Sequence, residues 1–108
     1  MSPNAPGLPE STVQVVRDAL ALYHTESAFD SLIVCDKDHR LVGATKITME
    51  QIPLDYALHV AEISGKIIDA TTNSILGGAK YAKINFGSNT LIVIINNELN
   101  ICAVVKRA

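Results

Sequence analysis

Nowhere in the chain do lysine and arginine gather with interleaved aromatic residues, and the formal net charge is only −2. Such a surface has no positive field to collect phosphates, so nucleic acid is not an expected partner. Long apolar runs are missing too. The longest, such as Leu91 to Ile95 and Ile101 to Val105, fall far short of the roughly 20 residues that cross a bilayer as a helix, and membrane insertion is not expected. Met1 to Glu10 lacks the basic opening and apolar centre of a secretory signal and carries Pro3, Pro6 and Pro9 instead, which points to a cytoplasmic location. Cysteine is scarce. Cys35 and Cys102 each sit inside an apolar, strand-like run, and both read as buried thiols, because a chain this rich in core-forming residues needs no covalent staple. The phosphate-cradling patterns GxxxxGK[ST] and GxGxxG are absent, so Gly77-Gly78 and Gly87 read as a helix stop and a turn.

What is present is enough apolar side chain for one core. The 108 residues are 48% hydrophobic and 19% charged, which excludes a disordered chain and leaves no room for a second domain. Residues 1–10, dominated by proline and small polar groups, read as a flexible leader, and residues 11–108 as a single domain. Ser11, with Gln14 three residues on, has the form of a capping box, and Val13, Val16, Leu20 and Tyr23 follow at helical spacing to about Thr25. Phe29 to Asp36, with its run Leu32 to Cys35, and Arg40 to Ile47 after the polar turn Asp36-Lys37-Asp38-His39 predict a hairpin. Pro53 suits the start of a second, longer helix that Gly77-Gly78 ends. Lys80 to Phe86, Thr90 to Asn96 and Leu99 to Lys106 then read as a three-stranded meander. The run Leu91-Ile-Val-Ile-Ile does not alternate, so its strand should be covered on both faces, one by each helix.

The long helix is the most informative segment. At about 100° per residue, Asp55, His59, Glu62, Lys66, Asp69 and Asn73 fall on one charged stripe. Leu54, Leu58, Ala61, Gly65, Ile68 and Ile75 make a second stripe, and Tyr56, Val60, Ile63, Ile67 and Ala70 a third. Two apolar faces need two partners, because one sheet hides only one of them.

No constellation of residues compels a catalytic or metal reading. Asp36, Asp38 and His39 open like a metal loop, but Arg40 stands where a calcium loop needs an oxygen, and a solvated turn explains them. His59 and Glu62 share their stripe with Lys66 and Asp69, an ordinary charged surface in which Glu62 and Lys66 have ion-pair spacing. Cys35 near His39 is the pattern of a thiolate and its base, yet a strand thiol among Leu32, Ile33 and Val34 is desolvated and a poor nucleophile. His24 near the end of the first helix suits the helix dipole. Catalytic, cofactor and metal sites are accordingly all expected to be none.

The element order, the hairpin Ser31-Leu-Ile-Val-Cys-Asp-Lys-Asp-His-Arg-Leu-Val-Gly-Ala, the long helix and the closing Leu91 to Lys106 hairpin resemble the roadblock family of dynein light chains over about residues 11–107. The ending Ile101-Cys-Ala-Val-Val-Lys-Arg is similar to that of the small Ragulator subunits, which share the fold. His39 and Ser31 stand where many members have glycine. The resemblance implies an α+β fold: a five-stranded antiparallel sheet (helix, two strands, helix, three strands) in a roadblock/profilin-like sandwich with helices on both faces. It further implies a non-catalytic dimer of this chain with itself or a roadblock-like paralogue, serving as scaffold or platform for a Ras-like small GTPase or a multi-subunit complex. Carried over, the dimer surface is Val60, Ile63 and Ile67 on the long helix with Tyr81, Lys83 and Asn85 along the third strand. Lys80 and Lys83 weigh against strand pairing there, since lysine commonly guards an edge. Two alternatives remain: a PAS or profilin-like small-molecule sensor, in which the extra helix face lines a pocket, and a hydrolase using Cys35.

Overall fold

The computed structural model describes residues 3–22, 30–46, 48–72, 75, 80–96 and 99–106, with the backbone alone for Asn96 and residues 99–106. In chain order the elements are α1 (Glu10–Leu22), β1 (Ser31–Asp36), β2 (Leu41–Lys46), α2 (Leu54–Thr72), β3 (Tyr81–Asn85), β4 (Asn89–Asn96) and β5 (Leu99–Lys106). The expectations on Tyr23 to Phe29, Asn73, Gly77-Gly78 and the Asn97-Glu98 turn lie outside the described residues.

The strands form one sheet of order β2-β1-β5-β4-β3 in which every neighbouring pair is antiparallel. The expectation of one plain sandwich sheet is corrected in its construction. Two separate antiparallel units, the β1–β2 hairpin and the β3–β4–β5 meander, meet where β1 lies beside β5. The reason is the crossover: α2 separates β2 from β3 in the chain, so the last strand reaches the free side of the hairpin and the third strand is left at the far edge. Between Val34 and Cys35 the β1–β2 register shifts, leaving Val42 as an extra, bulged residue.

Period-two alternation splits the apolar side chains into two cores. Ile33, Cys35, Ala44, Leu91 and Val93 pack beneath α2 with Ala57, Val60, Ala61 and Ile68. On the opposite face Leu32, Val34, Ile92 and Ile94 pack against Val13, Val16, Ala19 and Leu20 of α1. The uninterrupted apolar run of β4 follows directly from this double cover.

Two expectations about the N-terminus need correction. Helix α1 starts at Glu10, with the Pro9 carbonyl accepting from Val13 N at 3.1 Å, so Ser11 lies within the first turn, and Gln14 donates to Asp18 at 3.0 Å instead of closing a capping box. The described part of the leader is packed. Ala5 and Leu8 are buried, one in each core, and Ala44 N donates to the Pro6 carbonyl at 2.8 Å. Burying one small and one large apolar side chain across the edge of β2 offsets the cost of ordering the segment.

Gly43 is where this packing leaves no room. A β-carbon there would stand 2.9 Å from Leu8 Cδ2 and 2.9 Å from the Pro6 carbonyl oxygen. Gly43→Ala is expected to cost about 1–3 kcal/mol in chemical denaturation through overpacking. Gly87→Ala, whose β-carbon would meet nothing within 4 Å, is expected to move the midpoint far less.

Candidate interaction surface

Helix α2 does not present two opposed apolar faces. Its buried residues are Ala57, Val60, Ala61, Ser64, Gly65 and Ile68, an arc that takes members from both expected stripes and centres on the small residues between them. Small side chains let the helix sit low on the sheet, so the large ones are pushed to its flanks. The buried Ser64 hydroxyl donates to the Ala61 carbonyl at 2.9 Å and is satisfied.

On one flank the β1–β2 turn reaches over the helix. His39, at φ 64°, rests on Gly65, where an added β-carbon would stand 3.4 Å from the His39 ring. His39 Nε2 lies 3.0 Å from Asp69 Oδ1. Asp36 Oδ1 accepts from the amides of Asp38 and Arg40 at 2.9 and 3.0 Å, so this carboxylate shapes the turn. Lys37 and Asp38 of the turn stand in solvent as expected, while His39 at its end is docked on α2 through Gly65. Glu62 and Lys66 approach to 3.4 Å as spaced.

On the other flank, Tyr56 and Phe86 are exposed, while Ile63 and Ile67 are half-buried against the core. Tyr56, Val60, Ile63, Phe86, Asn89 and Leu91 line an apolar groove of about 250 Å³. Burial, followed by Asp30, raises the Tyr56 phenol above its usual range, against a contact with Ser31 that lowers it.

Strand β3 borders this flank and is one of the two edge strands of the sheet. Ile95 N donates to the Lys80 carbonyl and Phe86 N to the Asn89 carbonyl. Since bonded and non-bonded pairs alternate along an antiparallel ladder, Ala82 and Ile84 turn their backbone groups inward to β4, and Tyr81, Lys83 and Asn85 turn theirs outward. Among the described residues no partner meets the backbone N–H of Lys83 or Asn85.

The six residues expected at a dimer surface therefore do not share one face. Val60, only 7% exposed, belongs to the core. Ile63 and Ile67 lie on the flank with Ala82, and Ile84 follows Ala82 two residues on. The Tyr81 side chain packs on the α1 side, and Lys83 and Asn85 share its face by alternation. Asn85 Oδ1 there accepts from the Thr90 hydroxyl at 2.9 Å. What Tyr81, Lys83 and Asn85 contribute to the edge is backbone. The neighbouring Ala82, Ile84 and Phe86, not expected in this role, bring apolar side chains to the α2 flank.

Cys35 is buried on β1, while the Cys102 side chain lies outside what is described. Burial, with Asp36 second, pushes the Cys35 thiol up to about 11. Among the described residues no three His, Cys, Asp or Glu side chains gather as a metal site, and no helix is long and apolar enough to span a membrane.

An α+β domain with its long helix on one side of this sheet and a shorter helix on the other is a roadblock-like fold. A roadblock/LC7 domain from Streptomyces avermitilis matches it with a TM-score of 0.60 and 14% identity over 74% of this chain and 68% of that one. Myxococcus xanthus MglB matches at 0.56 and 12% identity, over 72% and 64% of the two chains. A structure of MglB with tetrameric arrangement matches at 0.55 and 10% identity, over 98% and 80%. Compared by sequence, the chain matches no family model and no curated protein.

The Cys35 thiol should resist labelling in a native Cys102→Ala chain and react at once when that chain is unfolded, as followed with a chromogenic thiol reagent. The denatured chain releases its thiol proton near pH 9, whereas the native chain keeps it to about pH 11. The thiol's contribution to stability is whole below the lower value and is lost as pH rises to the upper one, so the denaturation midpoint should fall through that window.

Proposed function

We propose that the protein is a non-catalytic, self-associating platform: two copies, or this chain and a roadblock-like paralogue, join along β3 and the adjoining flank of α2, and the pair holds a Ras-like small GTPase or a larger complex. The observation that carries this reading is continuity. Outward-turned backbone at Lys83 and Asn85 runs beside an apolar strip of Tyr56, Ile63, Ile67, Ala82 and Phe86, so one surface offers both the hydrogen bonds and the burial that strand addition needs. Lys83 does not block this, because alternation directs its side chain to the α1 face, away from the strip.

The likeness to the roadblock/LC7 domain and to MglB supports the reading at the level of fold, and the tetrameric MglB arrangement is an instance of self-association on that fold. For the sensor reading, the groove beside β3, about 250 Å³, is smaller than the roughly 300–1,000 Å³ of small-molecule pockets, and its place on the described surface is the depression of about 680 Å³ lined by Leu54, Leu58, Ala61 and His39. The hydrolase reading is weakened by the buried thiol, which lacks the electropositive, partly exposed setting of a reactive cysteine.

Proline at position 83 separates association from folding, since it removes an N–H that faces outward and leaves the bonds to β4 in place. Lys83→Pro should give a folded monomer, with light scattering reading mass and circular dichroism reading fold, and Ile67→Asp should weaken the dimer by burying a charge. Ile84→Pro, which removes an inward N–H, should unfold the chain. A dimer unchanged by Lys83→Pro would refute the proposed interface. Pull-down from the native cell should recover a Ras-like GTPase with the unaltered chain and lose it with Lys83→Pro.

A further inference from the structure

The two outer strands of the sheet are treated differently, and the difference sits in the N-terminal segment. Alternation turns the amides of Ala44 and Lys46 on β2 away from β1. Both are met from within the chain, Ala44 N by the Pro6 carbonyl at 2.8 Å and Lys46 N by the Glu50 carbonyl at 3.0 Å. Residues 3–5 pair with the segment that leads into α2, and Pro6 to Leu8 reach the β2 edge at Ala44 and Gly43. Ala5 N donates to the Ile52 carbonyl at 2.8 Å, Leu54 N to the Pro3 carbonyl at 3.0 Å, and Asn4 bridges to Pro53. Ala5 and Leu8 then seal one core each, and Gly43 has no side chain so that Pro6 and Leu8 fit.

The composition of the segment suits an edge that must not be extended. Pro3, Pro6 and Pro9 have no N–H, and the Ala5 N–H is already used inward. A strand approaching from outside therefore meets few donors, a common device for blunting a sheet edge.

We infer that residues 3–8 are a removable edge guard that closes β2 against a second copy of this chain and so limits self-association to the β3 edge. The inference rests on the proposed pairing along β3. A two-fold pair joined at β3 carries its two β2 edges at the far ends of one continuous sheet. With both open, pairs would add end to end without closing. With the guards in place, assembly stops at two.

The test is a chain lacking residues 1–8 beside the full chain, both sized by light scattering over a range of concentration, with a synthetic peptide of residues 3–9 added in trans. The expected result is a dimeric full chain and a folded truncated chain whose mass at least doubles again as concentration rises, brought back to the dimer by the peptide. A monomeric full chain with a truncated chain that associates and is reversed by the peptide would keep the guard and discard the β3 pairing. A folded truncated chain with the mass of the full chain at every concentration would overturn the guard. Hydrogen exchange on the full chain decides the matter if the truncated chain does not fold. Faster exchange at the Ala44 amide, while that of Ile33 stays protected, supports a guard that opens alone; exchange of both together overturns it.

Discussion

A strand has hydrogen-bonding groups on two sides, and a sheet of finite width must do something with the outer side of its first and last strands. In this molecule that requirement organises the rest. The crossover through α2 places β3 at one edge and β2 at the other. The β2 edge is met by the Pro6 and Glu50 carbonyls, whereas β3 turns the amides of Lys83 and Asn85 outward. Among the described residues the sheet thereby has one covered edge and one uncovered edge, and the proposed interface lies at the uncovered one.

Helix α2 adds the apolar part of that surface through the sizes of its side chains. Ala57, Ala61, Ser64 and Gly65 line its buried arc, so the helix axis comes close to the sheet and the bulky residues at its margins reach past the contact. Tyr56, Ile63 and Ile67 project beside β3, and Leu58, about half exposed, projects on the opposite side near the His39 turn. Docking of that turn through His39, Gly65 and Asp69 ties the hairpin to the helix that crosses it. It is an exposed contact of modest strength, of the order of 1 kcal/mol or less.

The apolar pattern made much of the fold legible. The unalternating run in β4 could be satisfied only by cover on both faces, and the two cores provide it. The interaction surface was half legible. Of the strand residues expected there, Tyr81, Lys83 and Asn85 contribute backbone at the edge while their side chains face α1. A one-residue change of parity reverses a strand, and only the paired register with β4 sets the parity. Val60 is mostly buried and reaches the surface only as part of the groove wall, because a helical period orders residues around an axis without saying how deep the axis lies.

The periodicities of the chain by themselves determined the number, kind and order of the elements, since local spacing and turn residues set those without reference to anything distant. The same spacing decided that β4 would be covered on both faces. Three things belonged to the tertiary structure: the packing of residues 3–9, the seat of His39 on Gly65, and which face of β3 meets α2. Each rests on contacts between segments far apart in sequence. The prolines that look like punctuation when read along the chain become an edge seal only once β2, with its glycine at position 43, lies beside them.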